Sequence, residues 1–567
     1  MVAAGIWGCR RGSISQGAAG SNESHAEQCS RALPASKESL DALLLQVDSY
    51  GHPAVPQVDV AGRAPTRELP MTRGLSKSRI LIHRQCARRL WLQVYKPELA
   101  DESTDQPLTQ VGTTVGVLAR QVHPDGVLID AEDLRAALRK TAQALTVRPR
   151  RPLFEATFEH DGVLVRADVL LPLARGWRMV EVKSSTSIKE YHLEDAAVQS
   201  WVLQGAGLPL HEQAIAHIDR DFVYPGDGQY HGLLIEQDVR TDVAEHMPEV
   251  PGWVAAARRT LAKRKEPDVA PGSQCDTPFP CPFQAHCIPE REGYPVDILP
   301  RGGKLAAQLK AEGYTDLRDV PASRLTGVLH RRVWQASTNG KPYLDPALGR
   351  IIRSLAYPRY FLDFETWAPA VPIWAGIRPY QQVPFQWSCH VQESNGRLRH
   401  EEFLAEDADD PRLPFANALM ATLDTQGPIL VWNQPFEQTR LSELAEAFPG
   451  LARRIRRIID RLVDLLPLAR EHYYHPDMLG SWSIKAVLPT IAPELDYAEL
   501  EVADGTMAQQ AFSRLLFENL ADAERASIRQ SLLTYCERDT LAMVKVAERF
   551  ATSLTAHTTA TSRGKRP

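Results

Sequence analysis

Along the chain the spacing of apolar residues switches between a period near 3.6 and a period of two, and the switches mark off stretches of different character. Residues 1–74 hold neither period and are rich in Ala, Ser, Gly and Pro, which predicts a disordered or over-annotated extension. Helical spacing then predicts helices over 78–91 and 111–122. Alternation predicts strands over 153–159, 163–171 and 177–184, with Asp161-Gly162 and Arg175-Gly176 as hairpin turns. A helix over 193–205 follows, then strands around 214–223 and 231–235 and a stretch dense in Pro and Cys over 267–292. Residues 296–350 read as a small helical connector with Gly313-Tyr314-Thr315-Asp316 as a turn. Strands are expected again over 359–365, 385–392, 398–404 and 428–433, and helices over 413–423, 437–447, 451–472, 483–490 and 521–554. The organisation predicted is a folded unit over 75–292, a connector over 293–355, a second unit over 356–552 and a disordered tail over 553–567.

A chain of 567 residues is too long for one core, which agrees with several units. The content of 44% apolar and 24% charged residues is that of a soluble globular protein. A net charge of −5 excludes a strongly basic coat, so any nucleic-acid groove must be a local patch. No apolar run has the length of a membrane span. The eight cysteines are unevenly placed, which suits a metal or cluster site in a reducing compartment better than a disulfide framework. A cytoplasmic location is expected.

Candidate chemistry sits on two strands. On the first, Glu181 and Lys183 share a face, with Asp168 on the strand before; on the second, Asp363 and Glu365 share a face. Apolar neighbours would fix both strands in cores and leave each pair at an exposed end. Hydrolysis of a phosphodiester needs an ion to activate water and absorb charge, which Asp168 and Glu181 can hold while Lys183 orients water. Asp followed across a hairpin by Glu-x-Lys resembles the PD-(D/E)xK nucleases. Gln199, in Ala197-Val198-Gln199-Ser200-Trp201, resembles the Gln-plus-aromatic motif of RecB-like members. Tyr191 and His192 could face the phosphate, and Glu155 could support the metal. The early helical histidine of many RecB-like enzymes is absent, its region reading Gly112-Thr-Thr-Val-Gly116, and His123 is a poor substitute.

Cys275, Cys281 and Cys287 lie among Pro and Phe, and Cys86 lies in the first predicted helix. One cysteine before the nuclease-like core and three after it resembles the iron–sulfur RecB-like nucleases, which implies a 4Fe-4S cluster on four thiolates, with Zn²⁺ as the alternative. Cys9, Cys29, Cys389 and Cys536 read as structural or incidental.

The second half, three meandering strands, a helix, a strand and helices, has the order of an RNase H-like α/β fold. Phe361-Leu362-Asp363-Phe364-Glu365-Thr366 resembles the first motif of DEDD exonucleases, and Tyr535 with Asp539 resembles the last in its tyrosine form. There Asp363, Glu365 and Asp539 would bind metal and Tyr535 would position water. Trp432-Asn433-Gln434-Pro435-Phe436-Glu437 supplies Glu437 where that family has Asp; Asp464 is a second candidate. Ser481 would cap the next helix and Lys485 could reach a phosphate.

As a whole, residues 75–552 are similar to an uncharacterised bacterial family that joins these two domain types. The resemblance implies an α/β multidomain protein, a PD-(D/E)xK restriction-endonuclease-like domain and an RNase H-like DEDD domain joined by helices. It implies Mg²⁺- or Mn²⁺-dependent cleavage of nucleic acid, DNA before RNA, in repair, recombination or defence, with no membrane partner. Trp367, Trp374, Tyr380 and Trp387 could stack on bases or belong to the core. The alternatives are an RNA-processing 3'-5' exonuclease, a non-catalytic nucleic-acid clamp and a cluster-based redox sensor.

Overall fold

A computed structural model describes residues 74–101, 106–131, 133–288, 293–423 and 426–552. The expectations for 1–74 and 553–567 therefore fall, Gly74 apart, outside the described residues. The architecture is mixed α/β, and no described helix is long and apolar enough to cross a membrane.

The first half is built on strands β1 (Leu75–Ser76), β2 (Val127–Leu128), β3 (Leu153–His160), β4 (Val163–Pro172), β5 (Trp177–Lys183), β6 (Leu210–Ile218) and β7 (Leu234–Asp238). They form one sheet in the order β2-β3-β4-β5-β6-β7, with β1 joined in parallel to β4. Its helices are α1 (Lys77–Gln85), α2 (Ala87–Tyr95), α3 (Gln106–Gln121), α4 (Leu134–Thr146), α5 (Glu190–Gly205), α6 (Arg240–His246), α7 (Val250–Leu261) and the single turn α8 (Gln284–Cys287). Ile80, Leu90, Met179, Ala197 and Val254 are buried in one cluster between the sheet and these helices.

The helix expected over 78–91 is two helices. Cys86 is extended (φ −160°, ψ 122°), its N–H closing α1 on the Ile82 carbonyl at 2.9 Å while the residue caps α2. The break lets both short helices lay apolar residues on the same core. Helix α4, unforeseen, buries Ala137 and Thr141 and packs Ala144 and Leu145 on the same core.

Residues 293–355 contribute α9 (Gly303–Ala311), α10 (Val328–Asn339), β8 (Tyr343–Leu344) and α11 (Pro346–Ser354). Their Val296, Leu309 and Leu317 share a core with Leu430, Leu465 and Phe550, so the connector packs on the second sheet. That sheet consists of β9 (Arg359–Trp367), β10 (Val383–Gln392), β11 (Leu398–Leu404), β12 (Ile429–Val431) and β13 (Leu462–Asp464), in the order β11-β10-β9-β12-β13. The first three strands are antiparallel, and β12 and β13 run parallel to β9. Helices α12 (Arg412–Thr422), α13 (Gln434–Ala447), α14 (Ala452–Ile459), α15 (Leu465–His472), α16 (Ile484–Val487), α17 (Gly505–Phe517) and α18 (Asp522–Ala551) surround it, and β14 (Tyr473–Tyr474) pairs with β8.

The helix expected over 451–472 is α14, β13 and α15. Its continuous apolar run suits a buried strand as well as a helix, and pairing with β12 decides it. The two halves meet where Val115, Leu118, Ile218 and Leu233 pack on Ala370 and Val371 of the β9–β10 loop. Tyr224 N–H donates to the Ile377 carbonyl at 3.0 Å, and Gly376 N–H to the Tyr224 carbonyl at 2.8 Å.

Candidate metal centres

Near Asp168 the β4–β5 ladder parts beyond the Val169–Val180 pair. The Asp168 carboxylate takes over, accepting the Val182 N–H at 2.7 Å. On the neighbouring β3, Glu155 holds a positive φ of 55°, a local distortion of the strand facing the same place. Glu181 is not at an exposed end: its side chain is 2% exposed, because α1 and α5 close over it. Glu181 Oε1 accepts from Lys183 Nζ at 2.7 Å and from Lys77 Nζ at 3.0 Å, and its Oε2 accepts from Gln199 Nε2. Both lysines also reach Asp195, Lys77 at 2.9 Å. The structure thus gathers Asp168, Glu181, Lys183 and Gln199.

Lys77 and Asp195 were missed. Lys77 follows β1 directly, and the β1–β4 pairing carries it over the cluster. Asp195 lies one turn before Gln199 on α5, a spacing visible in sequence but without a stated motif. Burial would push the Glu181 carboxyl up, but Lys183 and Lys77 hold it well below the carboxylate range. Burial, with Glu181 beside it, drives Asp168 the other way, well above its usual value. His192 is buried, its Nδ1 accepting the Lys189 N–H at 3.1 Å; burial and Lys183 lower the imidazole to about 4. Tyr191 packs edge-on against Phe279 of the cysteine loop.

Cys86, Cys275, Cys281 and Cys287 line one cavity of about 20 Å³. Gln85 Nε2 ties the loop to α1, donating to the Gln274 carbonyl at 2.8 Å and the Phe279 carbonyl at 2.7 Å. Burial raises the Cys281 and Cys287 thiols, neighbouring cysteines adding to it, while Arg89 and Arg88 oppose. All four thiols are free. Among the described residues no three of these sulfurs lie within 4.8 Å of one another.

The second centre gathers side chains from β9, α13 and α18. Asp363 is half-buried; Glu365, Glu437 and Asp539 are 8%, 1% and 7% exposed, again the reverse of an exposed strand end. Glu437 reaches inward because Asn433 takes a left-handed turn (φ 92°) that a short polar side chain tolerates and Pro435 starts α13. Its Oε2 is buried without a hydrogen-bond partner. Asp363, Glu365 and Cys536 place ligand atoms all within 4.8 Å of one another. Cys536, one residue past Tyr535, therefore lies beside these carboxylates.

Burial raises Asp363 and Glu365 well above the carboxylate range, reinforced first by Asp539 and Asp363 respectively. Glu437 rises likewise through burial and Asp363, and Asp539 is pushed up to about 6 by burial against the hydrogen bond from Tyr497. Tyr497, unforeseen, donates its hydroxyl to Asp539 Oδ1 at 2.6 Å. Lys485 Nζ donates to the Tyr535 hydroxyl at 3.2 Å and the Ala503 carbonyl at 2.6 Å. Burial and Asp539 raise both phenols, and burial with Asp363 and Glu365 raises the Cys536 thiol.

Residues 360–483 match a family described as a domain of unknown function, DUF2779. The chain is 26% identical over 218 residues to the uncharacterized protein UU173 of Ureaplasma parvum, an alignment of 35% of this chain with 31% of that protein. It is 26% identical over 213 residues to the uncharacterized MG366 homolog of Mycoplasma pneumoniae, aligning 34% of this chain with 32% of that one. The chain spans about a third of the length of these relatives. The DUF2779 match takes in Asp363, Glu365 and Glu437 and stops short of Tyr535 and Asp539.

Asp464 is the last residue of β13 and caps α15, its Oδ1 accepting the Leu466 N–H at 3.0 Å and the Asn433 N–H at 3.1 Å, and its charge acts on Glu437. Other expectations are corrected by position. Ser483, not Ser481, caps α16, because its hydroxyl accepts the Ala486 N–H at 3.2 Å. Trp367, Trp374 and Trp387 are buried in the core, whereas Tyr380 is 39% exposed.

Proposed function

We propose that the protein is a metal-dependent nuclease, hydrolysing phosphodiester bonds of nucleic acid, DNA before RNA, at the Asp363–Glu365–Glu437–Asp539 centre. The observation that carries this reading is the charge imbalance there. Four carboxylates converge, and among the described residues Lys485 is the cation that acts on them, bonded to the Tyr535 hydroxyl and to no carboxylate; buried like charges demand protons or metal ions. The unpartnered Glu437 Oε2 and the close ligand atoms of Asp363 and Glu365 fit a Mg²⁺ or Mn²⁺ ion, which would supply Lewis acidity and an activated water. Tyr535, steadied by Lys485, is placed to orient a water. The sheet order β11-β10-β9-β12-β13 agrees with an RNase H-like arrangement, and the carboxylate set with a DEDD-type exonuclease.

At the first centre Lys77 and Lys183 both bond Glu181 and Asp195, so cations offset the carboxylates more fully than at the second. Asp168, Glu181, Lys183 and Gln199 fit a PD-(D/E)xK site, and the buried Gln199 Oε1 lacks a donor. The second lysine weakens the case for an ion there and favours a clamp that grips nucleic acid without cutting it. The four cysteines fit a thiolate-bound group. The four thiolates around one cavity suit a 4Fe-4S cluster, with Zn²⁺ as the alternative.

The test is degradation of end-labelled single-stranded DNA, duplex DNA and RNA with Mn²⁺, by anaerobically purified wild type, Asp363→Asn and Lys183→Ala. Asp363→Asn should remove most cleavage, on the order of 10²-fold or more. Cleavage that survives Asp363→Asn and vanishes with Lys183→Ala would move the activity to the first centre. No cleavage of any substrate sinks the nuclease reading.

A further inference from the structure

A cavity of about 830 Å³ opens between the two halves, apart from either carboxylate centre but walled by elements of both. On one side runs Ser185-Thr186-Ser187, the segment that leaves β5 after Glu181 and Lys183, and then the N-terminus of α5. On the other side are the β9–β10 loop, which follows Glu365, and the outer end of α13, which carries Glu437 on its first turn. We propose that this cavity binds a short segment of single-stranded nucleic acid by its phosphates, so that one strand lies between the two centres. The proposal rests on the nuclease reading for what happens at those centres, but not for the binding itself.

Three exposed cations line the cavity, Lys189, Arg220 and Arg378, and none pairs with a carboxylate among the described residues. Two lining arginine–carboxylate contacts are already closed: Arg412 grips Asp410, and Glu443 holds Arg440 at 2.9 Å. Against the free cations stand the exposed acids Asp221 and Glu446. The balance is therefore weakly positive, in a chain whose overall charge is −5. The Thr186 and Ser187 hydroxyls add neutral donors suited to phosphate oxygens.

Tyr380 points to a ligand independently. It holds a left-handed backbone, φ 59°, that a bulky side chain rarely adopts, and its hydroxyl donates to the Ser184 carbonyl, one residue past Lys183. Its ring is left at the cavity wall, 39% exposed, while three nearby tryptophans are buried. An exposed, fixed aromatic ring beside unpaired cations is the combination that binds single strands, stacking a base while the cations take the backbone.

The experiment measures anisotropy of a labelled single-stranded oligonucleotide with full-length protein in chelator, across a salt series, with inorganic phosphate as competitor. Lys189→Ala and Arg378→Ala should each weaken binding roughly three- to tenfold and reduce the salt slope by about 0.7. Glu446→Gln should strengthen it, and Tyr380→Ala should weaken it at unchanged slope. Variants matching wild type in affinity and slope, or a wild type that binds no single strand, overturn the proposal. Inorganic phosphate that saturates the site while the oligonucleotide binds no tighter overturns the strand and leaves a small-anion site. Protein that binds in this way but never cleaves with Mn²⁺ would sink the nuclease reading alone.

Discussion

Lys77 and Lys183 hold the same two carboxylates, Glu181 and Asp195, from separate elements of the first sheet's unit, the start of α1 and the end of β5. Stripping one partner from a buried pair ordinarily costs about 3–5 kcal/mol, because a charge is left uncompensated. Here either lysine covers for the other. Lys183→Ala alone should therefore cost only about 1–3 kcal/mol, and Lys77→Ala with Lys183→Ala should cost clearly more than the sum of the singles. Urea unfolding of the four proteins measures this, and simple additivity would argue against a shared cluster. At the other centre Asp539 sits at about 6, above the roughly 3.9 of an unfolded aspartate. Between those values the folded chain keeps a proton that the unfolded chain has lost, so stability is present at lower pH and declines as pH rises through 6. The difference is on the order of 3 kcal/mol. In chelator the melting temperature should fall from pH 5 to 7 more steeply for wild type than for Asp539→Asn, and Mn²⁺ should recover it at pH 7. Parallel profiles would contradict the placement of Asp539.

At the scale of elements, the break at Cys86 has a chemical reading. A thiol on extended backbone between two helices can face the loop bearing Cys275, Cys281 and Cys287, which one continuous helix would not have arranged. Cys86→Ala and Cys281→Ala should lose bound iron and sulfide, or zinc, whereas Cys389→Ala should keep the full content. Elemental analysis after anaerobic purification decides, and full content in Cys86→Ala would remove it from the ligand set. Strands β9, β10 and β12 of the second sheet were legible to within a few residues because they are runs rich in aromatic and β-branched residues; β11 was read at its observed ends, whereas β13 was expected as helix. Helices α4 and α17 were not legible, although each buries a face at helical spacing, Ala137 and Thr141 in the first and Ala508, Ala511, Phe512 and Leu515 in the second; small residues make up much of both faces. Glu181, Asp363 and Asp539 could be read because short motifs hold them. Lys77, Asp195, Tyr497 and Cys536 could not, since their partners are distant in sequence and only the sheet pairings and the last helix bring them together.

At the scale of the molecule, two sheets with separate cores are joined by more than the chain that links them. Val115, Leu118, Ile218 and Leu233 take part of their cover from Ala370 and Val371, which sit beyond the connector. The connector in turn gives its apolar residues to the second core. A chain severed near residue 292 would strand an uncovered patch on one fragment, and a cut near 356 would tear open the other core. The halves are thus thermodynamically tied: loosening one withdraws burial from its neighbour, and unfolding is drawn toward a single cooperative event.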